Sequence, residues 1–256
     1  MGRHATLLTF GPMIDSELTR LLLRHYGVPF TEERHIFGWV SLVSLMRGGS
    51  LRIPVVLGIG PARVAPASIV AWQEALCPMP LKLVPATEPL RSQIETDWQR
   101  YNGELATHVP VLAYFHLLPN RELMEEPVTR GVPDHEARIG RRIYPVTRWM
   151  LSTLLRLSAP RAADALIRIR QMFDITDARI ADGRRYLTGD RLSLGDLALA
   201  SATAPLLLPR GYAAPIPSLE RMPPALHDVI VELRERPTAR LVQRIYDGLQ
   251  GGGGGP

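Results

Sequence analysis

Cysteine and lysine are almost missing from this chain of 256 residues. Cys77 is the only cysteine, which excludes an intrachain disulfide and a cluster of thiolate metal ligands. Lys82 is the only lysine, so the 30 basic residues are nearly all arginine, set against 25 acids. The two signs read as interspersed, with no one segment expected to collect the net charge of +5. No nucleic-acid footprint is therefore expected. The seven histidines form no H-x-x-x-H pair and have no nearby second ligand, so they read as packed or surface imidazoles. Long apolar runs are also lacking. Residues 197–208 are too few to span a bilayer and are interrupted by Pro205. The N-terminus lacks the basic-then-apolar order of a signal peptide, which leaves the cytoplasm as the expected compartment. What is present is a 46% hydrophobic content, enough to bury one or two substantial cores.

The first eighty residues alternate strand and helix patterns, and the rest reads as helical. Residues 5–10 (ATLLTF) form a brief apolar run bounded by Gly11 and Pro12, the pattern of a buried strand. Leu18, Leu21, Leu22 and Tyr26 then recur at helical spacing and stop at Gly27, which suits a C-cap. Further strands are expected in 28–36, 52–58 and 63–65, with helices over 39–46 and 68–76. This order defines an α+β domain with a thioredoxin-like arrangement over residues 1–80, followed by a proline-interrupted linker over 81–90. Long helical patterns over 91–105, 111–126, 135–157, 162–183, 195–208 and 223–249 predict an all-α domain over 91–247. Residues 248–256 read as a flexible glycine-rich tail.

Ser193 and Asp196 stand three apart at the start of an apolar helix, so each side chain can satisfy the other residue's backbone N–H. Preceded by RRYLTGDRLSL, this capped helix resembles the helical domain of the cytosolic glutathione transferase superfamily. The later phrase ERPTARLVQRIY resembles the closing helix of that family, and RIPVVLG resembles its third strand. The resemblance extends over about residues 5–247 and implies the architecture of those proteins: a thioredoxin-like domain, then an all-helical one. It also implies glutathione as the thiol ligand, a small apolar electrophile as the second substrate, and a homodimer.

Three site expectations follow from the resemblance. Pro54 occupies the place of a cis-proline, with the backbone of Ile53 available to the cysteinyl part of glutathione. The thiol-activating hydroxyl belongs just before the first helix. Two registers are possible there, one placing Met13 in that position and the other Ser16. The helix length counted to Gly27 favours Met13, whose thioether has no proton to give. Ser16, one turn later, is then the remaining hydroxyl, while Asp15 would repel a thiolate. The anchor for the γ-glutamyl end falls on Ala65 and Pro66, neither of which has a suitable side chain; Ser68 is the nearest substitute. Tyr114 and Phe115, beside His116, lie on the helix that borders the apolar pocket in relatives. Arg20 is expected to tie the two domains by an ion pair, Trp149 and Met150 to lie in core or pocket, and Cys77 to be a buried, inert thiol.

Two functions compete. One is glutathione-dependent thiol conjugation in the cleft between the domains, framed by residues 13–16, Ile53 and Pro54. The other is a non-catalytic binding or assembly module that has lost the glutathione site, which accounts for Met13 and Pro66 directly.

Overall fold

A computed structural model describes residues 4–78 and 81–251. Four strands form one mixed sheet in the order β2-β1-β3-β4: β1 (Ala5–Thr9), β2 (Phe30–Arg34), β3 (Val55–Leu57) and β4 (Arg63–Val64). β1 runs parallel to β2 and antiparallel to β3, with Leu8 opposite both Glu33 and Val55. It is the continuously apolar strand because it lies inside the sheet with both faces covered. Helix α1 (Ile14–His25) follows β1, α2 (Trp39–Met46) follows β2, and α3 (Ala67–Leu76) follows β4. The strand and helix order is the expected one, with each strand shorter than its apolar run.

The linker is pinned rather than loose. Glu74 of α3 accepts from the backbone N–H groups of Leu83 at 2.8 Å and Val84 at 3.2 Å, and Leu83 is itself buried. Beyond it come α4 (Leu90–Trp98), a π-helical continuation (Gln99–Leu105), α5 (Ala106–Leu117), α6 (Arg121–Thr129), α7 (Asp134–Arg142), α8 (Tyr144–Leu154), α9 (Ala159–Arg179), α10 (Leu194–Leu207), α11 (Pro224–Arg234) and α12 (Pro237–Gly251). Three of the long helical patterns are therefore split, the one over 223–249 ahead of Pro237, where α12 begins. The pattern over 111–126 breaks ahead of α6 beside Pro119, and the one over 135–157 breaks at Ile143, with Pro145 near the start of α8. Proline lacks the donor that an unbroken helix needs, so its place is the first turn of a new one. The expected tail is corrected as well: residues 248–251 belong to α12, and residues 252–256 lie outside the described part.

Helix α10 is the axis of the second domain. Every residue in it except Pro205 is buried, because its Ala- and Leu-rich surface is apolar all round and α1, α4, α5 and α12 cover it. The Ser193–Asp196 capping box forms as the spacing predicts, and Asp196 Oδ1 also accepts from Leu187 N at 2.8 Å. Gly195 permits the close approach of α4: a Cβ there would lie 2.6 Å from the Cβ of Asp97. One continuous apolar core joins both domains through α1, which is buried from Ser16 to Leu23.

Helices α6 to α8 dock on the N-terminal domain. The Glu136 carboxylate of α7 accepts from Ile36 N at 3.1 Å and lies 2.8 Å from His35 Nδ1. A Cβ on Gly11 would meet the carbonyl oxygen of Pro127, in α6, at 3.0 Å. The segment thus covers the end of β1. Among the described residues no helix is long and apolar enough to cross a membrane, and no group of three or more His, Cys, Asp or Glu could hold a metal ion.

Candidate functional site

The turn at Gly11 and Pro12 brings Met13 to the N-cap of α1. Its backbone is extended (φ −97°, ψ 135°), its carbonyl accepts from Glu17 N at 3.1 Å, and its side chain caps nothing. A thioether accepts too weakly to satisfy first-turn N–H groups, so that end of the helix has no side-chain acceptor. Ser16 lies inside α1, is fully buried, and its hydroxyl has no hydrogen-bond partner among the described residues. It is turned into the protein, not toward a cleft, because the whole stretch from Ser16 to Leu23 is enclosed by packing. Asp15 is half-buried next to Met13, and burial pushes its carboxyl above the usual carboxylate range.

Both X-Pro bonds flanking β3 and β4, Ile53-Pro54 and Ala65-Pro66, are cis. The Pro54 carbonyl accepts from Ala65 N at 3.0 Å, whereas the loop hydrogen bonds leave the Ile53 N–H and C=O unpaired among the described residues. Pro66 is the N-cap of α3 and offers no side-chain bond. Ser68 donates its hydroxyl to the Val64 carbonyl. That commitment takes away the proton it would need as a substitute anchor. Nearby, the Arg63 guanidinium stacks over the Trp72 ring at 4.6 Å from its centroid, with Nε buried and unpartnered among the described residues. The sequence reading passed over this cation, since a lone arginine on a two-residue strand gives no signal.

The space between the domains beside α1 is small. A cavity of about 30 Å³ is lined by Pro12, Ile14, Tyr114, Met124, Pro127 and Pro205, among others. That is room for about one water. Tyr114 lines it as expected; its hydroxyl lies 3.5 Å from the Pro12 carbonyl, and burial pushes its pKa up to about 12. Phe115 does not line it, and stacks edge-on against His116 with ring centroids 5.1 Å apart. The reason is helical spacing: adjacent residues on α5 point about 100° apart. A larger opening of about 680 Å³ lies elsewhere, between α3 and α4, and is lined by Ala67, Val70, Ala71, Ile94 and Trp98 with a few polar groups.

Beneath the site is a buried polar cluster. Arg20 donates from Nη1 to Glu17 Oε2 at 2.6 Å, and from Nε and Nη2 to the two oxygens of Glu32 at 3.0 and 2.6 Å. Thr9 Oγ1 and Arg34 Nε also donate to Glu32 Oε1. Burial alone would raise the Glu32 pKa, but the hydrogen bonds and charge of Arg20 outweigh it and hold the carboxyl at about 2. Both partners of Arg20 belong to the first domain, which corrects the expectation of a direct interdomain ion pair. The domains are joined one bond further on, where Tyr246 of α12 donates to Glu17 Oε1 at 2.9 Å. Cys77 is corrected too: it is half-buried at the end of α3, with its pKa raised by burial and then by Glu74. Trp149 and Met150 lie in neither core nor pocket; both are exposed.

The family model for the glutathione S-transferase C-terminal domain matches residues 159–230. Solved structures align over nearly the whole chain. A glutathione S-transferase of Ceriporiopsis subvermispora, in complex with glutathione, has a TM-score of 0.60 at 12% identity, covering 98% of this chain and 100% of that one. The β-etherase LigF from Sphingobium sp. strain SYK-6 has a TM-score of 0.57 at 14% identity over 94% and 98%. A glutathione S-transferase of Methylobacterium radiotolerans, complexed with glutathione sulfonate, gives 0.52 at 19% identity over 93% of each chain. Among curated proteins none matches this sequence. The fold is that of the glutathione transferases, and residues 159–230 match the C-terminal domain of that family.

Proposed function

We propose that this protein is a binding or assembly module built on the glutathione-transferase fold, one that does not activate a thiol. The observation that carries this reading is the pairing of Met13 at the N-cap of α1 with Ser16 fully buried behind it. Thiol conjugation requires a donor or dipole aimed at the developing thiolate. Here the side chain in place has no proton, the nearest carboxyl is Asp15, and the neighbouring apolar space of about 30 Å³ has no room for an electrophile. Binding in this reading uses surface openings such as the groove between α3 and α4. The test is calorimetric titration with glutathione together with a conjugation assay using a halodinitrobenzene. No heat at millimolar glutathione and no product above background are expected; micromolar binding with turnover overturns the reading.

A second reading keeps glutathione or a related thiol as ligand, with an apolar electrophile in the interdomain cleft of a homodimer. The unpaired backbone of Ile53 beside cis-Pro54 favours it, as does the Arg63 cation next to the start of α3. An Arg63→Ala change that abolishes a measurable glutathione affinity would support this reading over the first.

A further inference from the structure

Between Glu136 and Asp164 the sequence holds six arginines and no acid. The even mixing of charge along the chain therefore fails in one stretch, which forms α7, α8 and the entry to α9. In the fold, Arg138, Arg142, Arg148, Arg156 and Arg161 are all exposed, and none forms an ion pair among the described residues. Arg141 alone is paired, with Glu125 at 2.7 Å.

The same stretch carries an apolar face that no other described residue covers. Helix α8 buries Tyr144, Thr147 and Leu151 against the protein. At 100° per residue, Val146 and Trp149 fall on the opposite side with Met150 beside them, whereas Leu154, seven residues after Thr147, is exposed on the flank at the end of the helix. Trp149 is 68% exposed, Leu154 67% and Val146 57%. Ile139 of α7 is exposed as well. Single exposed apolar residues are ordinary, but an aligned set centred on a tryptophan is not.

We propose that this face docks on an anionic membrane surface, with Trp149 and Val146 entering the interface and the unpaired arginines meeting lipid phosphates. An amphipathic helix that has an aromatic and aliphatic side flanked by arginine binds in this manner, by apolar burial plus attraction to anionic headgroups. A second copy of the chain is a poor occupant. A two-fold contact through this patch would set its five unpaired arginines against their own copies, with Asp134 at the start of α7 the one exposed acid of α7 and α8 to meet them. The proposal is independent of the thiol question, because Met13 and Ile53 take no part in it.

The test is co-sedimentation of the full chain with vesicles of phosphatidylcholine alone, or mixed with phosphatidylglycerol, at low and high salt. Binding to the anionic vesicles, weakened by salt and absent on phosphatidylcholine, is expected. Arg142→Glu with Arg148→Glu should weaken it by at least about tenfold, and Trp149→Ala with Val146→Ala by a similar factor. In wild type, bromine-labelled lipids should quench tryptophan fluorescence, and a Trp149→Phe variant should lose that quenching. Failure to bind anionic vesicles overturns the proposal, as does binding that none of these changes weakens. Concentration-dependent dimerisation abolished by Trp149→Ala would instead assign the face to a second copy and also overturn it.

Discussion

Tyr246 donates its hydroxyl to Glu17 at 2.9 Å across 229 residues of sequence, and both side chains are fully buried. Glu17 faces Arg20 on its other oxygen, so the closing helix reads the position of α1 through one carboxylate. Replacing Tyr246 with Phe removes a hydrogen bond to a charged group while leaving the ion pair intact. A loss of about 1.5–3 kcal/mol is expected in denaturant unfolding. An unchanged midpoint would show that the domains do not depend on this bond.

Arg20→Met is expected to cost more, about 3–5 kcal/mol, because it leaves the buried Glu17 without its cation and takes two donors from Glu32. The comparison of the two variants is the measurement. If Arg20→Met costs less than Tyr246→Phe, the cluster does not depend on its central cation.

Acid should weaken the protein through Glu32. Its carboxyl titrates at about 2 in the folded state against an ordinary value of 4.5. A depressed carboxyl contributes stability that is complete above the ordinary value and is lost as pH falls toward the folded one. The window is therefore from about 4.5 down to 2, and the contribution is roughly 3 kcal/mol. Stability measured against pH should fall through this window in wild type and be flatter in Glu32→Gln. Parallel profiles would remove Glu32 as the source.

Gly195→Ala should destabilise the fold although alanine is the better helix former. The added Cβ would meet the Cβ of Asp97 at 2.6 Å, and Asp97 is buried and held by Arg179 at 2.5 Å. Overpacking of this kind costs about 1–3 kcal/mol. A rise in thermal midpoint would mean that α4 moves freely away from α10.

Met13→Ser restores a hydroxyl at the start of α1. Conjugation of glutathione to a halodinitrobenzene is expected to stay at background, because the adjacent cavity of about 30 Å³ still has no room for the electrophile. Turnover in this variant would show that a hydroxyl was the only part missing, and would favour the second functional reading.

The Ser193–Asp196 cap was legible because its partners lie three residues apart and the helix geometry alone brings them together. The strand and helix order was legible for the same reason: apolar periodicity is local. Met13 stands at the N-cap of α1, and that end of the helix could be approached by counting back from Gly27, since helix length is a property of the chain. Phe115, Trp149 and Arg20 were misplaced, and each mistake concerned which face of a helix meets what. Arg34 and Glu32 lie on a half-buried strand, and nothing in their spacing announces the cluster around Arg20.

By itself the sequence determined the order of strands and helices in the first domain and the reciprocal cap of α10, which rest on short-range spacing and backbone chemistry. The tertiary structure alone decided that Ser16 faces inward and that Pro127 and Met124 fill the space beside α1. It also decided that α8 turns Tyr144, Thr147 and Leu151 to the core and leaves Trp149 and Leu154 outside. A helix apolar on two sides can bury either one. The choice depends on which residues, distant in sequence, supply the complementary surface.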